Sequence, residues 1–598
     1  MLAMMRKLLS QVANSVLIIS GLVHVCTGQV NPSIPVLPGL VPQGQLGDTI
    51  PSQFYYQAIH DIYRGEYRDA ERTLARETRG AIRIGVTDRW IDSICYHAMW
   101  GEVLYHQGRL AEALSHFDEA CTMFLDNPRW LLQVNFKQDP RPDTNLARKA
   151  IPWGASNRQF VLGSFPSQML IQLGDSLEQQ SQVAQQGGVL RQMQYWQIDV
   201  IEIIRATSLA IRRRNELLGP LALHDPISRE LVAKLAGGFA PPHHWSNAWA
   251  DLQLGLAYVG QGNLDQARIR LERAERVAGQ FDHPLTCVAL LEQGRLAMEA
   301  GKTELADELF AESSYSAFYF EDAGIIDEAF RLASINRLAS PVLEPNPVLE
   351  TAANWARHER FHHIYARLCF ARAEELLVVG DTKPAIATLQ AGQSRLGNAS
   401  AGLLGNWSRY LEARLLAETG KPTALEGIDD VLAEHMAMSP RTLQLQLADS
   451  WFDQQQLRAS SASEVYRKLL SDPTAKDWAF RPLETLALLK TPVDASFERW
   501  LLALEERKEK SAALEVTDLA KRRRYFSYLP LGGRMTSLRV TLESPELTLT
   551  PAERNLRSDL LARFPEYDDL LQRGLQIQES LRQQWQPAVA DEKQKALA

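Results

Sequence analysis

Between Ser52 and Leu470 apolar residues recur every three to four positions in stretches that glycines interrupt. That spacing places the apolar side chains on one face of a helix. Ala248–Asp282 shows the unit most clearly. Leu254-Gly255 and Tyr258 lie on a first helix, Gly262 at a turn, and Ala267, Leu271 and Ala274 on a second. The unit returns as Gly294, Ala297, Gly301, Ala306 and Phe310, and earlier as Trp100-Gly101, Gly108, Ala113, Phe117 and Ala120. Small residues let two antiparallel helices approach closely while large ones fill the groove between them. The glycine supplies the backbone freedom needed to leave the first helix. The turn glycines are Gly65, Gly108, Gly262, Gly301, Gly380 and Gly420, and a seventh pair near 443–470 has none. Neighbours within the series stand roughly 40 residues apart, a period expected of helical repeat arrays.

The pattern divides the chain. Repeats are expected over 51–126, 248–338 and 350–472, with Gly237–His244 and Ala339–Glu350 as linkers. Residues 127–168 mix Pro128, Pro140, Pro142, Pro152 and Pro166 with Trp130, Phe136, Trp153, Phe160 and Phe165, which predicts an irregular aromatic-rich insertion. Over 169–236 two helices split by Gly187-Gly188 are expected, the second ending in Arg212-Arg213-Arg214, where cations complement the helix dipole. The C-terminal region 473–586 reads as helical, with one long charged helix over Ala495–Tyr528 and room for a short strand in Pro530–Pro551; 587–598 is a polar tail.

These repeats resemble tetratricopeptide repeats, with Leu254-Gly255, Tyr258, Ala267, Leu271 and Ala274 on the signature positions. The resemblance covers about half of the chain past residue 28 and departs from the family in lacking the usual proline at most repeat ends. It implies an all-α fold, a right-handed α-solenoid of antiparallel helix pairs whose first helices line a concave groove. The groove positions carried over are Tyr55, Ile59, Tyr63, Glu102, Tyr105, Trp249, Leu252, Arg295, Met298, Arg367, Phe370, Glu374, Trp407, Tyr410 and Arg414. Aromatic and arginine residues dominate interface hot spots, which favours a protein or peptide ligand. Ala513–Leu531 is similar to the helix that precedes caspase-like CHAT peptidase domains, which implies a second role, the substrate-recruiting arm of such a peptidase.

Charge and the first residues narrow the setting. A net charge of −8 lacks the basic footprint of a nucleic-acid binder. Residues 1–28 carry Arg6-Lys7, an apolar core over Ser15–Cys26 and small residues before Gln29, the form of an export signal. Residues 29–50, rich in proline and glycine, read as a spacer. A secreted or periplasmic bacterial protein is therefore expected, touching membrane only through that segment if it stays uncleaved. Cys95 and Cys121 flank one helical pair and could be joined by export, or pack as thiols.

One string suggests catalysis. His358-Glu359-Arg360-Phe361-His362 matches H-E-x-x-H, which on one helix would offer two imidazoles to zinc and a carboxylate to a bound water. The third ligand is missing, because Tyr365 and Leu368 stand where the extended motif needs glycine and histidine. The metallopeptidase is thus an alternative to a non-enzymatic scaffold that needs no cofactor.

Overall fold

The computed structural model describes residues 51–581, apart from 81–82, 85–87, 90, 137–138, 147–148, 167, 174–183, 188–193, 340–344, 420–422, 545, 575 and 578–579. The signal expected at 1–28, the spacer expected at 29–50, Gly420 and the tail expected at 587–598 lie outside the described residues. The fold is all-α and solenoid-like. Its helices are α1 (Gln53–Arg64), α2 (Tyr67–Gly80), α3 (Ser93–His106), α4 (Leu110–Asp126), α5 (Val200–Leu218), α6 (Pro226–Ala236), α7 (Asn247–Gly260) and α8 (Leu264–Ala274). The array continues with α9 (Thr286–Glu299), α10 (Thr303–Tyr319), α11 (Ala323–Leu338), α12 (Val348–His358), α13 (His362–Val378), α14 (Thr382–Gln393), α15 (Leu403–Glu418) and α16 (Ala424–Met438). It ends with α17 (Pro440–Asp453), α18 (Ala459–Leu470), α19 (Ala475–Phe480), α20 (Pro482–Lys490), α21 (Asp494–Glu506), α22 (Lys510–Ser527), α23 (Arg534–Glu543) and α24 (Pro551–Arg563).

Within a pair, the small residue of one helix receives the large residue of the next. A methyl added at Gly101 would stand 2.6 Å from the Phe117 ring, and one at Gly294 equally close to Phe310. The helix-to-helix turn is one repeated device. At Gly65, Gly108, Gly262, Gly301 and Gly380 the backbone enters the left-handed region, and the following N–H bonds back to a carbonyl in the last turn of the helix. This is the Schellman arrangement. Glu321, Arg360, Gln455 and Lys508 make the same turn with φ near 60° and the same back-bonds. The pair without a glycine thus turns at Gln455. The long helix expected over 495–528 is in fact α21 and α22, broken at Lys508.

The array curls until its late helices meet its first ones. α13 packs beside α1, and Tyr67 Oη lies 2.5 Å from His363 Nδ1. Asn398 Nδ2 donates to Glu66 at 2.9 Å, and Gln444 Nε2 donates to the Glu216 carbonyl at 3.2 Å. One core runs from Tyr55 to Val516. The inner helices therefore face one another, and buried ion pairs join many of their charged residues. Arg213 donates to Glu102 at 2.7 and 2.8 Å and to Glu216 at 2.9 Å, while Arg214 reaches Asp118, Asp225 and Ser228. Arg212 lies 3.6 Å from Glu328 and 3.9 Å from Glu292. The three arginines are buried in ion pairs on α5, a different role from the expected complement to the helix dipole.

Two regions depart from the sequence expectation. Of the two helices expected across 170–218, only α5 is described. Its predecessor is an antiparallel strand pair, Gln168–Leu173 with Gln194–Asp199, joined by Val134–Asn135. Met169 and Ile171 point into the core on a period of two, and Asp199 caps α5 by accepting from the Glu202 N–H. A second small sheet joins Arg141–Pro142, Val161–Ser164 and Phe281–Asp282. The insertion at 127–168 lies over the repeats, where Trp153 packs on Phe318, Phe330 and Trp355 and its Nε1 donates to Ser314. The strand expected in 530–551 is instead α23. Cys95, Cys121, Cys287 and Cys369 are free and buried. No helix among the described residues is long and apolar enough to cross a membrane.

Candidate functional site: a cavity on the inner face

The late inner helices line an open cavity of about 560 Å3, within the ~300–1,000 Å3 range of ligand sites. Helical spacing builds its walls. On α15, Trp407, Tyr410 and Arg414 share one face; on α13, Arg367, Glu374 and Val378 do; on α11, Glu328, Arg331, Ser334 and Leu338 do. Tyr105 closes one side, and the α19–α20 corner brings Trp478, Phe480, Arg481 and Glu484 across the other.

Every carboxylate in the lining has a cation. Glu374 accepts from Trp407 Nε1 at 3.1 Å and from Arg414 Nη1 at 2.7 Å. Burial pushes its carboxyl up, and Arg414 opposes that. Glu328 takes two bonds from Arg331, at 2.9 and 2.5 Å. Glu216 accepts from Tyr105 Oη at 2.9 Å and from Arg213. Burial raises the Glu216 carboxyl, but Arg213 and Arg331 outweigh it and hold the group below its ordinary value. Glu484 lies 3.6 Å from Arg481, which is half exposed. Ser334 Oγ is buried with no hydrogen-bond partner among the described residues. The cavity thus offers neutralised carboxylates, an unpaired hydroxyl, and the edges of Arg331, Arg414 and Arg481, set among aromatic and aliphatic walls.

Six sequence-derived groove residues meet here: Tyr105, Arg367, Glu374, Trp407, Tyr410 and Arg414. Five lie elsewhere. Tyr55 is fully buried and bonds to Glu202; Tyr63 is buried beside Gly324; Trp249 is fully buried, its Nε1 donating to His283 Nδ1 at 3.1 Å. Arg295 pairs with Glu292 at 2.8 Å, and Phe370 sits beneath Trp407 in the core. Arg331, Ser334, Trp478, Phe480 and Arg481 were not among the sequence candidates. α11 follows the non-glycine turn at Glu321, so its inner face was not marked. The α19–α20 corner lies past Leu470, where the repeat pattern fades.

The H-E-x-x-H string does not lie on one helix. His358 ends α12, Arg360 turns with φ 62°, and His362 begins α13. The motif is the helix-to-helix turn of the array, and the single-face geometry a zinc site draws on is broken in the middle. Among the described residues no group of three histidines, cysteines or acids could hold a metal ion. No family model matches the chain, and no curated protein matches it.

Proposed function

We propose that the chain is a non-enzymatic, exported binding scaffold of the tetratricopeptide type, which holds a peptide segment of a protein partner in the cavity between α11, α13, α15 and the α19–α20 corner. The observation that carries this reading is the convergence of six inner-helix residues, chosen from the sequence as groove positions, on one cavity of about 560 Å3. Its chemistry fits a peptide. Trp407, Tyr410, Trp478 and Phe480 give wide apolar contact, and Arg414 and Arg481 offer charged donors to carbonyls or acidic side chains. The setting in a bacterial envelope rests on the form of residues 1–28 and on the CHAT-arm resemblance of Ala513–Leu531.

The test is selection of displayed peptides on residues 29–598, followed by titration of the selected peptide. Trp407→Ala/Arg414→Ala should weaken binding by about 2 kcal/mol or more, the cost of losing hot-spot residues, while far-UV circular dichroism stays native. Undiminished binding by that variant would place the ligand elsewhere and sink the proposal.

A further inference from the structure

Where the array closes on itself, the contact is built from histidine and tyrosine rings. Tyr67 on α2, His106 on α3 and His363 on α13 are all buried. The Tyr67 ring stacks on His106 at 5.9 Å, and His106 meets His363 edge-on at 4.7 Å. Beside them, His60 on α1 stacks on Phe361 at 6.0 Å. Tyr67 and His363 are 296 residues apart in the chain. Their contact therefore belongs to no helix pair and closes the seam between the first pairs and the late ones.

The site suits His363 as a neutral ring. Tyr67 Oη donates to its Nδ1 at 2.5 Å, and Nε2–H faces Asp327 Oδ2 at 3.3 Å. Asp327 is already matched by Arg367, whose Nε lies 2.9 Å from its other oxygen. Arg367 Nη2 also stands 3.1 Å from His363 Nε2. The nearby carboxylate of Glu102 is taken by Arg213 at 2.7 and 2.8 Å. From α1, uncharged Tyr63 is within reach of Asp327, and Arg64, Glu66, Arg360 and Arg395 act on the adjacent His362. A proton added at His363 Nδ1 brings a second cation to a carboxylate that already has one. Burying an unmatched charge is unfavourable. The same proton takes from the Tyr67 O–H the acceptor it now has.

We propose that the seam is an acid-released latch: protonation of His363 parts α2 and α3 from α13, while the helix pairs on either side stay folded. Pairs in a solenoid are held by neighbour contacts, here local packings such as Phe117 against Gly101, which do not pass through the seam. Burial holds the His363 imidazole down at about 4 while the seam is closed. Once the ring reaches water it titrates near about 6.5. The open form therefore binds the proton more tightly and gains as pH falls. Between about pH 7 and about pH 5 the ratio of open to closed rises about twentyfold. Arg367 also lines the cavity, so the latch reaches the ligand site through it.

The experiment is a spin-label distance measurement across the seam on residues 29–598, which needs no ligand. Labels are carried by Arg68→Cys/Gln390→Cys, both exposed positions, while the four native thiols are buried. At about pH 5 a longer distance should grow about twentyfold relative to its share at about pH 7, with far-UV circular dichroism unchanged. His363→Gln does not titrate, so its distances should not respond to pH. Arg367→Met frees Asp327 to hold the imidazolium, so acid should no longer open the seam; this variant decides the matter if His363→Gln does not fold. A native distance distribution that is the same at both pH values overturns the proposal. So does a longer distance that His363→Gln or Arg367→Met forms to the same extent, or one that appears only as helicity is lost.

Discussion

Replacing Arg213 by methionine tests whether the inner helices are held by paired buried charge. The guanidinium donates twice to Glu102, at 2.7 and 2.8 Å, and once to Glu216 at 2.9 Å. The Arg213 and Glu102 side chains are 3% and 4% exposed. Methionine fills most of the volume but strands Glu102, whose carboxylate then keeps only the His106 ring, 3.3 Å away. Breaking a buried pair from one side costs roughly 3–5 kcal/mol, against a total stability of about 5–15 kcal/mol for a domain. The loss has a pH signature. In the native protein, burial would raise the Glu102 carboxyl, but Arg213 outweighs burial and holds it well below its ordinary value. That stabilisation is fully present above the unfolded carboxylate pKa of about 4.3. In the variant, burial acts almost unopposed and the carboxyl rises, so acidification protonates it in the folded state and returns part of the loss. Urea unfolding followed by circular dichroism should show the gap widest near about pH 7 and narrower near about pH 5. Glu102→Leu/Arg213→Met should recover more than half of it, because apolar replacement of both partners is close to neutral. A loss under about 1 kcal/mol, or a gap that does not change with pH, would refute the reasoning.

Other expectations follow from single sites. His363 is buried between Tyr67 and Asp327, and burial lowers its pKa to about 4 despite the aspartate. Its folded value lies below the unfolded value of about 6.5, so stability should fall as pH drops from about 6.5 to about 4, and His363→Gln should flatten that part of the urea profile. At Gly301 a methyl would meet open space but φ is 75°, so Gly301→Ala should cost about 1 kcal/mol while Arg360→Gly, at φ 62°, should gain up to about 1 kcal/mol. Thermal unfolding checks the pair, and a stabilising Gly301→Ala would contradict the turn assignment. Trp249→Ala should cost about 3–5 kcal/mol by opening the core, so it cannot serve as a groove variant; an unchanged melting midpoint would contradict its burial. Metal analysis of purified protein should find no stoichiometric zinc, and His362→Ala should leave the metal content unchanged; zinc lost with that histidine would restore the metallopeptidase alternative.

Much of the fold was legible because its unit is local. Gly101 opposite Phe117 and Gly294 opposite Phe310 fix how a pair packs, and five of the glycines that mark turns are in the left-handed region. Glu321, Arg360, Gln455 and Lys508 take the same conformation without a residue type that announces it. Hence α10–α11 and α21–α22 were not divided from sequence, and Arg360 sat inside an apparent zinc motif. Curvature was less accessible still. It accumulates over many pairs, and only the closed array brings Tyr67 to His363 and Tyr105 toward Trp407. That is why Tyr55, Tyr63 and Trp249, on groove positions by repeat logic, are core residues, while Trp478 and Phe480 reach the cavity from a region with no repeat signature.

Hydrogen exchange with and without a selected peptide tests the central claim, that the inner-face cavity is the working surface. The account predicts slowed exchange in Leu403–Glu418, His362–Val378 and Pro482–Lys490, with Asn247–Ala274 unchanged. Protection confined to 127–168 or to the outer helices, with the cavity helices unaltered, would contradict it.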